Sequence, residues 1–97
     1  MKLRFTPRAT QDIVEIAAFI RAHNPAAAAR VRDSILDAMQ TLVLFPKTGR
    51  PQAIEKVRKL VSRKYRYLVY YEADAEAGEL VILAIQHPAR EREFLDR

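Results

Sequence analysis

Two cap-plus-proline pairs, Thr6-Pro7 and Asn24-Pro25, stand eighteen residues apart and constrain the fold more than any other feature of the chain. A side chain that accepts hydrogen bonds caps the free amides of a first helical turn. Proline then sits where no amide is needed. After Thr6, the residues Ala9, Ile13, Ile16, Ala17 and Ile20 recur at three-and-four spacing, with Arg8, Gln11, Asp12 and Glu15 on the other face. This pattern predicts a helix over Pro7–His23. After Asn24, a second stripe of Ala28, Val31, Ile35, Met39 and Leu42 predicts a helix over Pro25–Leu44, with Arg30, Asp33, Asp37 and Gln40 outward. Two amphipathic helices joined by so short a turn pack as an antiparallel hairpin.

The rest of the chain reads as strands. Lys2 to Thr6 alternates polar and apolar residues ahead of the first helix. Residues 45–51, Phe-Pro-Lys-Thr-Gly-Arg-Pro, end the second helix in a loop. Val57 to Ser62, Tyr65 to Glu72 and Leu80 to Gln86 are strand candidates, and residues 73–78 make the turn between the last two. The tail from Ala89 to Arg97 is charged and suits a short helix or a frayed end. The order β-α-α-β-β-β gives an α+β fold, with an antiparallel sheet of four strands and the helix hairpin on one face. Ile13, Ile16, Ile20, Val31, Ile35, Met39, Leu42, Leu68, Leu83 and Ile85 are its expected core.

Residues 1–97 are expected to form a single domain, since no linker, repeat or low-complexity stretch divides them. The chain has no cysteine, so it has no disulfide framework and no thiolate nucleophile or ligand. Its two histidines, His23 and His87, lie far apart, and neither a metal nor another cofactor is expected. No apolar run reaches membrane-spanning length and the N-terminus does not read as a signal peptide, so a cytoplasmic protein without membrane contact is expected.

Positive charge is concentrated in one window. Lys47, Arg50, Lys56, Arg58, Lys59, Arg63, Lys64 and Arg66 have only Glu55 among them, so these twenty residues carry +7 while the whole chain carries +5. Such a patch attracts nucleic acid or an acidic protein segment. It is also compatible with a solvated basic face, or with a small basic nucleic-acid-binding module that does nothing further.

From Phe45 onward the residues carry a resemblance. Pro46, Gly49 and Arg50 lie in the loop, and Arg58 opens a strand. Tyr65, Arg66 and Tyr70 follow in a Tyr-Arg-x-x-Tyr-type strand, and the apolar run from Val81 to Gln86 leads to His87 and Arg90. In this order the chain resembles the RelE/ParE toxins of bacterial type II toxin–antitoxin modules, the group associated with plasmid stabilization. The resemblance implies a growth-inhibiting toxin neutralised by a cognate antitoxin. The antitoxin's acidic C-terminal segment would fold on binding, and a toxin–antitoxin hetero-oligomer would result. RelE-like members cut mRNA in the ribosomal A site. ParE-like members poison DNA gyrase.

Under the RelE-like alternative the resemblance makes Lys59, Arg66 and Arg90 the catalytic set, because RNA cleavage needs cations on the phosphate and a group to move protons. Val57 stands where a second catalytic lysine would be, and no tyrosine follows in the tail. The chain therefore reads as ParE-like: a poison that acts by binding gyrase, with no catalytic residue. Lys56, Arg58, Lys59, Arg66, His87 and Arg90 are the expected target- or antitoxin-binding residues, and Arg58, Lys59 or Arg66 would pair with antitoxin acids. Arg66 is expected in mid-strand, with its charge in a functional groove beside Lys59. His87 is expected in register with Val81, Leu83 and Ile85, as a structural histidine at a strand end.

Overall fold

The computed structural model describes residues 1–87. It contains β1 (Lys2–Phe5), α1 (Pro7–His23), α2 (Pro25–Leu44), β2 (Arg50–Pro51), β3 (Arg58–Val61), β4 (Leu68–Asp74) and β5 (Glu79–Gln86). Both helices begin at their prolines. The Thr6 hydroxyl accepts from the Ala9 amide at 3.1 Å, as a capping side chain should. Asn24 stands at the equivalent position of α2 with no side-chain capping bond. Its carbonyl instead accepts from the Ala27 amide.

The fold is α+β, with the helix hairpin on one face of the sheet. Ile20, Val31, Ile35, Met39 and Leu42 meet Tyr67, Val69, Tyr71, Leu80, Ile82 and Ile85 in the main core. Ile13 and Ile16 pack at its margin. A smaller cluster of Val57, Leu68, Tyr70 and Ala84, with Leu83 against it, covers part of the opposite face.

Three details differ from the sequence reading. First, the sheet has five strands in the order β1-β5-β4-β3-β2 and is mixed, because β1 runs parallel to β5 while the other pairs are antiparallel. β5 carries buried residues on both faces and so belongs inside a sheet; β1 supplies its second neighbour.

Second, a bulge interrupts β4 and β5. Tyr70 faces Ala84 and Tyr71 faces Ile82, which leaves Leu83 unmatched. Ile85 therefore shares the helix-side core with Leu80 and Ile82, while Leu83 turns to the other face. The expected register of Leu83 with Ile85 and His87 does not hold. The bulge is stitched from α1: the Thr6 hydroxyl donates to the Leu83 carbonyl at 2.9 Å, and Asp12 Oδ2 accepts from the Ile85 amide at 2.9 Å.

Third, Asp12 is consequently not an outward residue. Its side chain is only 16% exposed, beside Arg8 at 3.6 Å. Burial pushes its carboxyl above the ordinary carboxylate value, outweighing the Ile85 amide and the Arg8 guanidinium, which pull it down.

Asp12→Ala should therefore cost about 1–3 kcal/mol by orphaning the Ile85 amide, whereas Asp12→Asn keeps an acceptor and should cost less. The raised folded-state value means that the native state holds this proton longer than the unfolded chain does. The contribution of this group thus falls as pH rises from the ordinary carboxylate value through the folded one, and Asp12→Asn should abolish that fall. Denaturant unfolding at a series of pH values checks both statements.

Candidate functional site

The basic window occupies the β2–β3 edge of the sheet and the turns at its two ends. Phe45 closes α2, and the following loop is held by two side chains from the sheet. The Tyr71 hydroxyl donates to the Pro46 carbonyl at 2.7 Å and accepts from the Gly49 amide at 2.8 Å. Arg58 Nη1 donates to the Gly49 carbonyl at 2.7 Å and the Lys47 carbonyl at 3.2 Å. Burial raises the Tyr71 hydroxyl above its ordinary value, with the Gly49 amide and the Arg58 charge opposing. The hydroxyl thus stays protonated as donor to Pro46. With the loop fixed, Arg50 enters the two-residue strand β2 directly opposite Lys59.

Lys59 in turn faces Tyr70, which faces Ala84. Directly paired residues share a sheet face, so Arg50, Lys59 and Tyr70 line the face away from the helices. Lys56 lies two residues before Arg58, the first residue of β3, at the end of the sheet where Arg58 meets Tyr71. Arg66 and His87 lie at the other end, where β3 ends and β4 begins. The structure therefore brings Arg50 beside Lys59, and Arg66 near His87, with Lys59 between the two ends. Arg90 lies outside the described residues.

Arg66 is not in a strand. The chain leaves β3 at Val61, and Ser62 closes a turn by donating its amide to the Tyr67 carbonyl and accepting the Tyr67 amide on its hydroxyl, both at 2.9 Å. Arg66 is exposed in this turn with φ 56°, a left-handed conformation that side chains disfavour. Lys56, also exposed, has φ 67°. Two bases at strained, solvent-facing positions contribute nothing to the core. Among the described residues, Lys47, Arg50, Lys56, Arg63, Lys64 and Arg66 form no ion pair, and Glu79 is taken by Arg4. Among the described residues, positive charge therefore predominates on this edge.

The tyrosines do not form an open stacking platform. Tyr67, Tyr70 and Tyr71 are buried, Tyr67 and Tyr71 against the helix side. His87 is exposed and meets Tyr67 edge-on, with ring centroids 5.8 Å apart. Arg58 is committed to loop carbonyls, so it positions Lys47 and Arg50 as well as adding charge. Arg50 was missed as a site residue by sequence reasoning; the signal for it was the nearby glycine, which permits the close approach that places it. Val57 is 5% exposed and packs with Leu68 and Tyr70. Among the described residues, no cluster of His, Cys, Asp or Glu is arranged to hold a metal. No described helix is long and apolar enough to cross a membrane.

Residues 3–92 match the family described as ParE toxin of type II toxin–antitoxin system, parDE. The chain is 34% identical over 82 residues to Y4kP of Sinorhizobium fredii, a protein named as a toxin; the match covers 84% of this chain and 85% of that one. Its fold is similar to a chain of the chromosomal ParDE system from P. aeruginosa, with TM-score 0.76, 23% identity, and coverage of 90% and 95% of the two chains. A chain of the RelBE2 toxin–antitoxin complex from Mycobacterium tuberculosis is similar at TM-score 0.61 and 26% identity, covering 89% and 95%.

Proposed function

The chain belongs to the ParE toxin family of type II toxin–antitoxin systems, and on that premise we propose that it stops growth by binding DNA gyrase through its basic edge. It is the toxin component, and its partner is an antitoxin. The observation that carries the gyrase reading is Val57. Where the resemblance puts a second catalytic lysine, this chain buries an apolar side chain in the small core beside Tyr70. A valine there cannot hold a phosphate or move a proton, which leaves a surface suited to binding charge rather than to cutting RNA. Lys56, Lys59, Arg66 and Arg50 supply the binding charge, Arg58 keeps the loop in place, and His87 flanks the Arg66 end. In the neutralised state, an acidic C-terminal segment of the antitoxin folds against this edge.

Induction without antitoxin should bring on DNA-damage signalling and filamentation, and the purified toxin should trap gyrase on DNA. Arg66→Ala should weaken both effects while melting within a few degrees of the parent. If translation stopped first, with mRNA cut at A-site codons in an Arg66-dependent manner and gyrase untouched, the RelE-like activity would be the correct one.

A further inference from the structure

β5 outruns its neighbour on one side. β1 ends at Phe5, opposite Ile82, and α1 begins at Pro7, while β5 continues to Gln86. Beyond Ile82 no described strand pairs with β5 on this side, and α1 takes the place of one. The Thr6 hydroxyl donates to the Leu83 carbonyl, and Asp12 accepts from the Ile85 amide, each at 2.9 Å. Backbone groups left without a partner inside a fold are costly, and here two side chains satisfy them.

These two bonds bracket the bulge. Before it Tyr71 faces Ile82, and after it Val69 faces Ile85 and Leu68 faces Gln86. A shift of one residue moves every later side chain to the other face, so the extra residue decides what the end of β5 presents to each side. In an unbroken ladder Gln86 would stand opposite Tyr67, Ile85 would leave the main core, and His87 would lie on the other face. With the bulge, Ile85 stays in that core and His87 meets the Tyr67 ring. Tyr67 is tied through both its amide and its carbonyl to Ser62, which closes the turn that presents Arg66.

We propose that Thr6 and Asp12 are positioning residues for the Arg66 end of the basic edge: they hold the extra residue of β5, and that residue seats His87 on Tyr67 at the base of the Arg66 turn. The inference rests on the basic edge being the binding surface, and it gives work there to two residues that carry none of its positive charge. A carboxylate is a poor choice for packing alone, since a partly buried charge must find partners that an apolar side chain does not need. Its chemistry fits the Ile85 amide, which needs an acceptor. Thr6 performs two tasks at once: its oxygen caps the Ala9 amide while its proton goes to Leu83.

The two tasks of Thr6 can be separated by substitution. Thr6→Asp keeps a capping oxygen, but an ionised carboxylate has no proton for the Leu83 carbonyl. Asp12→Ala removes the acceptor for Ile85, and Asp12→Asn restores one. In the full parent chain, proton NMR should show cross-relaxation between the His87 and Tyr67 rings. Thr6→Asp and Asp12→Ala should lose that signal, and the toxin level needed to halve growth should rise roughly tenfold. Asp12→Asn should recover both. Should Asp12→Ala fail to fold, Thr6→Asp carries the same test with its helix cap intact. Variants that keep the His87–Tyr67 signal, or lose it and remain as toxic as the parent, would overturn the inference. So would an Asp12→Asn variant no better than Asp12→Ala. A parent toxin unaffected by Arg66→Ala would refute the binding-edge reading and this inference with it, whereas an Arg66-dependent toxin indifferent to Thr6→Asp and Asp12→Ala would refute the inference alone.

Discussion

Gly49→Ala is expected to destabilise the protein by about 3 kcal/mol, because the new methyl group meets a buried ring that has nowhere to go. A Cβ built at Gly49 lies 2.5 Å from the Tyr71 hydroxyl, 2.6 Å from Cε1 and 2.9 Å from Cζ. Tyr71 is fully buried and tethered to Pro46, so relief requires breaking the hydroxyl's two hydrogen bonds or pushing the loop off the sheet. For a chain of this size the melting temperature should fall by roughly 15 °C. Tyr71→Phe removes the same two bonds without a collision and should cost about 1–3 kcal/mol, the penalty for unpaired groups in the loop. Because the loop sets Arg50 opposite Lys59, both variants should also weaken growth inhibition. An alanine variant as stable as the parent would mean that the loop and Tyr71 do not clamp each other.

The second large effect separates stability from activity in the opposite direction. Lys56 and Arg66 occupy left-handed backbone positions, each of which costs a non-glycine residue about 1 kcal/mol. Replacing both by glycine relieves that strain at the expense of a more flexible unfolded chain. The double variant should therefore unfold at the same or slightly higher denaturant concentration than the parent. Its growth inhibition should nevertheless be largely lost, since two of the exposed charges on the proposed binding edge are gone. Ordinary surface substitutions shift stability by only about half a kcal/mol and would not produce this split. A double variant that is less stable yet fully toxic would show that these backbone positions serve the fold and not the target.

Arg66 illustrates how the site was partly legible. Its type and its neighbours in the chain marked it as a candidate for charge in a functional groove. Its location was misread, because Tyr65 to Tyr71 is uniformly strand-forming by composition. Ser62 overrides that preference by closing a turn across to Tyr67. Arg58 is the converse case. It was marked for its charge, whereas the structure places its guanidinium on the carbonyls of Lys47 and Gly49.

What the sequence determined by itself was local. The helix limits at Pro7–His23 and Pro25–Leu44 follow from caps, prolines and apolar spacing, signals contained within a few turns of chain, whereas the two-residue strand β2 carried no such signal. The concentration of charge between Lys47 and Arg66 is likewise a property of the sequence alone. The tertiary structure decided whatever depends on partners distant along the chain: β1 lying parallel to β5, Leu83 left unmatched opposite Tyr70 and Tyr71, and Asp12 turned inward to the Ile85 amide. Alternation along a strand assigns faces only until a bulge intervenes. The β5 bulge is joined to Thr6, 77 residues away, by a hydrogen bond that no local pattern encodes.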